Sequence, residues 1–341
     1  MLNAAGILLF TVIALALVFD FINGFHDSAN AIATSVLTRA LSMRNAVLLS
    51  GTMNFVGAIC LSGVAITIGK GVINPSSSLV QGKSGQILVV AAILAAIIWN
   101  LVTWWQGLPS SSSHALIGAL TGAALVAGGP SVLTLHNPDG LPKIIKGLIL
   151  SPLFGFVAGA FLMIAIMNIF AHQAPSKLNR YFRWAQVVSA ALMSFAHGSN
   201  DAQKSMGIIT LALLFAGKIT TVDPPTWVKL SCAAAMALGT ASGGWRIIKT
   251  VGKRIVGLQP VHGFASETAA SIVVFGGSLL KLPVSTTHVI SSSVMGVGAA
   301  RRLSDVKWGT VSQILLAWLM TLPVCILLGG ICYFLIHLVL K

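Results

Sequence analysis

Two short stretches hold most of the polar chemistry in this chain. Asn23-Gly24-Phe25-His26-Asp27-Ser28-Ala29-Asn30 interrupts one apolar run, and His197-Gly198-Ser199-Asn200-Asp201-Ala202-Gln203-Lys204 interrupts another. They align at an offset of 174 residues, Gly24 on Gly198 and Asp27 on Asp201. A second pair has the same offset: Leu108-Pro109-Ser110-Ser111-Ser112-Ser113-His114 and Leu282-Pro283-Val284-Ser285-Thr286-Thr287-His288. Two unlike motifs at one offset indicate an internal duplication, each half with an acidic segment and a Ser/Thr-rich segment.

The two kinds of segment point to opposite charges. The chain has seven acidic residues, and Asp27, Asp201 and Glu267 fall in predicted membrane segments. An ionised carboxylate there is costly and marks a functional site by default. With Asn30, Asn200 and backbone carbonyls freed near Gly24 and Gly198, the aspartates supply hard oxygen ligands for a small cation. Glu267 has no such repeat, so a structural hydrogen bond competes with an accessory role. Ser110 to Ser113 and Ser285 to Thr287 sit where a half-helix begins after a proline. Hydroxyls, unpaired backbone N–H groups and the positive helix end together make an anion site. One cap needs one hydroxyl, and four consecutive serines exceed that. An anion beside two carboxylates is repelled at low dielectric, so cations or protons must intervene, and each ligand then favours the other.

These groups sit in a membrane protein. The chain is 56% hydrophobic and 8% charged, whereas soluble domains carry roughly a quarter charged residues. Residues 4–19 lack a basic n-region and a small-residue cleavage site, so they read as a first span and not as a signal peptide. The net charge of +14 comes from basic residues in short loops beside apolar spans. That is the positive-inside bias, and it excludes nucleic acid as a partner. Cys60, Cys232, Cys325 and Cys332 lie in apolar segments without metal-ligand spacing, so they read as packing residues and no dedicated metal site is expected.

The predicted elements are all helical. Residues 4–38 form a long helix interrupted at 23–30, and 45–69 a second span followed by a polar loop. Residues 87–106 and the piece from His114 to Gly128 form a re-entrant hairpin with the serines at its tip. That last piece reaches only about 22 Å as a helix, against about 30 Å of hydrocarbon. A span over 143–170 completes the first half, residues 1–170, and 171–183 form a cytoplasmic linker. The second half, 184–341, repeats the plan: a run over 184–217 broken at 197–204, a span at 227–247, a hairpin at 261–300 and a last span at 309–338. Corresponding loops carry opposite charge bias; 72–86 has one basic residue and 246–260 has four. Opposite bias places them on opposite sides. The expected architecture is therefore two inverted repeats, each with a broken helix, two full spans and a hairpin, and both termini outside. Such repeats are a recurring plan for secondary transporters, with ligands at the midplane.

Both signatures and both hairpin tips resemble the inorganic phosphate transporter (Pit) family, across nearly the whole chain and including Ser266-Glu267 and Trp308-Gly309-Thr310. The resemblance implies cotransport of inorganic phosphate with a cation in the cell (inner) membrane. By position it implies a cation at Asp27, Asn30, Asn200 and Asp201, and phosphate at Ser111, Ser112, Ser113, Ser285, Thr286 and Thr287. Sodium-coupled members end the second signature in Asn, whereas this chain has Gln203-Lys204. Lys204 could stand for a cation or donate to phosphate. Asn54 stands where animal members carry a glutamate. Both features look like the bacterial low-affinity branch, which favours protons and a neutral metal–phosphate complex; sodium is the alternative. His26, His114, His197 and His288 lie near these sites, each more in keeping with a hydrogen-bonding residue than with a proton carrier. Small residues four apart (Gly118/Gly122, Gly155/Gly159, Gly239/Gly243) read as close packing within the chain, with a homodimer interface the other use.

Three readings compete with phosphate cotransport. A carrier for sulfate or another tetrahedral oxyanion uses the same donors. A hydrolase built on Ser112 or Ser113 with His114 or His288 needs nucleophile and base within hydrogen-bond reach, and a passive channel needs no cation.

Overall fold

The computed structural model describes residues 4–243 and 255–340; the basic loop expected from Arg246, Lys249, Lys253 and Arg254 lies outside them. The described residues are helical apart from short turns and one isolated bridge, Ile73 to Leu133. The first six helices are α1 (Ala4–Leu37), α2 (Met43–Cys60), α3 (Gly63–Gly71), α4 (Gly82–Gln106), α5 (Ser112–Gly128) and α6 (Leu141–Ile169). The rest are α7 (Pro175–Phe215), α8 (Thr226–Ser242), α9 (Pro260–Leu279), α10 (Thr286–Arg301) and α11 (Trp308–Val339). Most of α1 (Gly6–Leu37), α4, α6 and α11 are long and apolar enough to cross a membrane. Their outward faces expose large apolar side chains such as Phe161 and Leu319. An apolar exterior of this kind suits hydrocarbon.

The chain is interrupted at a different place from the one expected. α1 runs unbroken through 23–30 and α7 through 197–204, so the acidic segments free no backbone carbonyls. Polar residues at helical spacing do not break a helix when they find buried partners. Gly24 and Gly198 serve close packing instead. A Cβ on Gly24 would sit 2.4 Å from Met236 O in α8, and one on Gly198 would sit 2.2 Å from Asn54 O in α2. The break falls in the expected second span, where α2 and α3 meet at a 67° bend. Leu61 and Ser62 leave the helical region there. Gln203 of α7 covers the exposed start of α3, its Oε1 accepting from Val64 N at 2.8 Å and Ala65 N at 3.1 Å. Two of the donors that a helix start leaves unpaired are thereby satisfied. The linker expected at 171–183 holds the first turns of α7, which begins at Pro175.

Helical hairpins stand at both expected places, although α4, at 25 residues, is itself long and apolar enough to cross a membrane. α4 turns into α5 through Gly107 (φ 69°), and α9 into α10 through Lys281 (φ 58°), again 174 residues apart. Each turn returns two backbone bonds to the preceding helix, Gly107 N to Trp104 O and Leu108 N to Thr103 O, Lys281 N to Ser278 O and Leu282 N to Gly277 O. These are left-handed C-caps.

Packing between the halves is reciprocal. α1 lies on α8 as α7 lies on α2, and α5 lies on α11 as α10 lies on α6. The closest approaches repeat too. A Cβ on Gly122 would meet Ile326 O at 1.8 Å, and one on Gly296, 174 residues on, would meet Phe156 O at 2.1 Å. Gly118, Gly155, Gly159 and Gly239 likewise face backbone of other helices in the same chain, whereas Gly243 caps α8 with φ 79°.

Candidate functional site

The polar stretches meet where α1 and α7 cross the starts of α5 and α10. On α1 the polar residues Asn23, Asp27 and Asn30 lie on one face, at helical spacings of four and three. On α7 the equivalent positions are His197, Asp201 and Lys204. Ser111 caps α5, its Oγ accepting from His114 N at 3.1 Å, and Ser285 caps α10 by accepting from His288 N at 3.2 Å. Each cap leaves the next two hydroxyls in the first helical turn, and Ser112, Thr286 and Thr287 among them reach the aspartates.

The contacts follow the duplication. Ser112 Oγ donates to Asp27 Oδ2 at 3.3 Å, and Thr286 Oγ1 donates to Asp201 Oδ2 at 3.1 Å. Links also cross between halves. Asn30 Nδ2 donates to Thr287 Oγ1 at 2.9 Å, and Thr287 Oγ1 lies 3.3 Å from Asp27 Oδ1. In the equivalent position to Asn30, Lys204 Nζ donates to Ser112 Oγ at 3.1 Å and lies 2.8 Å from Asp201 Oδ2. His26 Nδ1 lies 2.6 Å from Asp27 Oδ1, and its Nε2 reaches Thr103 Oγ1 at 3.3 Å. All these side chains are buried.

Two kinds of unmet demand remain. Asn23 Oδ1, Asn30 Oδ1, Asn200 Oδ1 and Asp201 Oδ1 are buried oxygens without a donor. His197 is held by Asn54. Its Nδ1 lies 3.0 Å from Asn54 Oδ1, while Asn54 Nδ2 donates to Thr240 Oγ1 at 2.8 Å. Oδ1 therefore accepts and Nδ1 carries a hydrogen, while Nε2 lies 3.6 Å from Asp201 Oδ2 without a hydrogen bond. Ligand atoms of Asp27, His197 and Asp201 lie within 4.8 Å of one another. Acceptors gathered without donors suit a cation, and the hydroxyls and Lys204 beside them suit an anion.

The chain matches the model of the phosphate transporter family over residues 23–329. This protein belongs to that family. It is 51% identical over 334 residues to a protein of Bacillus subtilis (strain 168) described as a probable low-affinity inorganic phosphate transporter, covering 98% of each chain. A protein of Rhizobium meliloti (strain 1021) with the same description is 45% identical, covering 97% of each chain. Among solved structures, the fold matches "The sodium-dependent phosphate transporter" with a TM-score of 0.88 at 25% identity, covering 97% of this chain and 99% of that one. Membership and the apolar helices together make this chain an integral membrane protein with a role in phosphate transport.

Within this family member the expected residues divide. Asp27, Asn30, Asp201, Lys204, Ser112, Thr286 and Thr287 form one bonded cluster. Asn200 Nδ2 instead donates to Ser278 Oγ at 3.1 Å. Ser110 pairs with Thr103 Oγ1 at 2.7 Å, and Ser113 donates to Val284 O at 3.0 Å, so both brace the tips. His114 Nδ1 pairs with Ser111 Oγ at 2.8 Å, and His288 stacks on Trp318, ring centroids 3.9 Å apart. Neither histidine is bonded to Ser112 or Ser113. Glu267 lies apart, taking Thr34, Ser35, Gln186 and Ser189 as donors. Three residues of the quoted stretches gain places that the motif did not assign them: Asn23 and His197 beside the aspartates, and Gln203 on α3. Position in the helical stripe was the signal for the first two.

Proposed function

We propose that this chain imports inorganic phosphate by alternating access, coupled to protons, with the phosphate carried as a complex with a divalent metal. The observation that carries the reading is the paired contact of Ser112 with Asp27 and Thr286 with Asp201, bridged by Lys204. Two carboxylates share one ammonium, with the His26 imidazole 2.6 Å from Asp27 Oδ1, so an arriving anion meets carboxylates at close range. A phosphate anion enters such a site only with compensating cations. The unpaired oxygens of Asn23, Asn30 and Asp201, with the unpartnered Nε2 of His197 beside them, supply ligands for one. Carboxylate and amide oxygens of this kind suit a hard divalent cation such as magnesium. Lys204 stands as a fixed cation where the other half has Asn30, which supports protons over a second sodium ion. The halves act in this reading as inverted repeats with both termini outside, rocking about the site. Sodium symport is the second reading, supported by the likeness to a transporter titled sodium-dependent.

The test is labelled phosphate uptake into proteoliposomes, with sodium and proton gradients imposed separately, with and without magnesium, and Asp27→Asn as control. Uptake driven by the proton gradient and raised by magnesium is the expected result. A strict sodium requirement would overturn the coupling. Transport indifferent to both gradients and to Asp27→Asn would remove the carrier reading. Competition by sulfate as strong as by phosphate would widen the substrate to oxyanions in general.

A further inference from the structure

α1 carries a third carboxylate that the site above leaves unused. Asp20 lies seven residues before Asp27, two helical turns along the same face and about 10 Å away along the axis. It is fully buried. Its Oδ1 accepts from Ser205 Oγ of α7 at 2.7 Å, and its Oδ2 has no partner within hydrogen-bond geometry. The Cys232 side chain of α8 lies against it, and Lys204 and Asp201 of α7 act on it electrostatically. The other helices against α1 bring little charge to it. Lys83 of α4 and Arg44 and Cys60 of α2 are exposed, and Glu267 of α9 is taken up by its own donors near Thr34. His288 of α10 is stacked on Trp318.

The surroundings decide what Asp20 can bind. A metal ion asks for several oxygen ligands, whereas the partners found at Asp20 are one hydroxyl, that of Ser205, and the thiol of Cys232. Among the described residues the one cluster with metal-ligand geometry is Asp27, His197 and Asp201, which excludes Asp20. A proton asks for a single oxygen, and Oδ2 is free to take it. The duplication offers no second copy, because the equivalent position on α7 is Ser194. One carboxylate therefore serves the whole carrier.

We propose that Asp20 carries the coupling proton, taking it on Oδ2 on one side of the membrane and releasing it from the same oxygen on the other. The proposal rests on the proton-coupled reading above. One O–H bond forms and the same bond breaks, and nothing is oxidised or reduced. Coupling to the anion runs through Lys204, next to Ser205 in the chain. With Asp20 neutral, the ammonium serves Asp201 and Ser112. With Asp20 ionised, a further carboxylate competes for it, and less is left to attract phosphate at Ser112.

Asp20→Asn in the full chain keeps an acceptor for Ser205 and removes the exchangeable proton. Two measurements in proteoliposomes separate the outcomes: phosphate accumulation under an inward proton gradient, and exchange of labelled for unlabelled phosphate at equal pH on both sides. The expected result is accumulation lowered about ten-fold or more, with exchange retained. Accumulation equal to wild type overturns the proposal. Wild-type accumulation that follows sodium and ignores protons also overturns it, and leaves the phosphate carrier standing. Absence of exchange in the wild type removes that carrier reading and the proposal with it. Should Asp20→Asn not fold, Ser205→Ala alters the hydrogen bond to Oδ1 and leaves the carboxyl in place. It is expected to move the pH profile of accumulation without reducing exchange, and an unmoved profile counts against Asp20.

Discussion

Lys204 stands one helical turn after Asp201 on α7, its Nζ 2.8 Å from Asp201 Oδ2, and both side chains are buried. At the equivalent place on α1, Asn30 stands after Asp27, and a neutral amide does the bonding to Thr287. The duplicated site therefore matches in Ser112 and Thr286, each on its own half's aspartate, and differs in Thr287, which reaches Asp27 while Ser113 turns to Val284 O, and in charge. One half sets an ammonium beside its aspartate, and the other sets the imidazole of His26 there, Nδ1 2.6 Å from Asp27 Oδ1.

Replacing that ammonium gives the first prediction. Lys204→Asn makes the second half like the first and leaves Asp201 buried without its ammonium. Removing one partner of a buried pair costs about 3–5 kcal/mol. Sodium-free phosphate uptake should fall by about two orders of magnitude or more. Added sodium should restore part of it, because a free cation can then fill the place of the ammonium. Uptake measured in choline and in sodium buffers checks this, and a variant equally active in both would show that Asp201 needs no cation.

The serines differ although the sequence writes them alike. Ser112 joins Asp27 to Lys204, whereas Ser110 pairs with Thr103 at the side of the hairpin. A hydrogen bond to a charged group contributes about 1.5–3 kcal/mol. Ser112→Ala should therefore raise the KM for phosphate by roughly ten- to a hundred-fold, and Ser110→Ala should change it far less. Initial uptake rates against phosphate concentration test the ordering. The reverse order would move the anion away from the α5 start.

How much of this could be read from the chain depends on what each signal reports. The tips were legible because Pro109 with its serines and Pro283 with Ser285 and Thr286 repeat at one offset, and a cap needs those residue types at a helix start. The continuity of α1 and α7 was not legible. Glycine beside asparagine and aspartate looks like a break, yet Gly24 and Gly198 are needed where another backbone passes within van der Waals distance. The true break at Leu61 and Ser62 has no proline to mark it, and its cap, Gln203, comes from a helix about 140 residues away. Asp20 lies in the first predicted span, but its equivalent, Ser194, carries no charge, so the repeat does not mark it.

Reciprocal packing predicts paired effects on stability. Gly122→Ala places a methyl group on Ile326 O, and Gly296→Ala places one on Phe156 O. Both atoms are backbone and cannot rotate away, so each variant should lose about 1–3 kcal/mol. Thermal melting in detergent should give two similar falls in Tm. Gly276→Ala, which meets nothing within 4 Å, should leave the Tm near that of wild type or raise it. A large difference between Gly122→Ala and Gly296→Ala would mean that the two halves pack unequally.

Glu267 separates structure from transport. Its carboxylate ties three helices, taking Thr34 and Ser35 from α1 and Gln186 and Ser189 from α7 as donors to α9. Every partner donates, so the group there must only accept. Glu267→Gln keeps the shape and brings two N–H groups into a ring of donors. With the amide oxygen at the Oε1 place Gln186 keeps its acceptor and Ser189 can turn to accept one N–H, which leaves the second N–H without a partner. The variant should lose about 1–3 kcal/mol from the unmet donor, seen as a lower Tm. The KM for phosphate should stay close to wild type in the fraction that remains folded, because none of these partners touches Asp27, Asp201 or the hairpin tips. Uptake abolished at an unchanged Tm would instead place Glu267 on the path of the coupling ion.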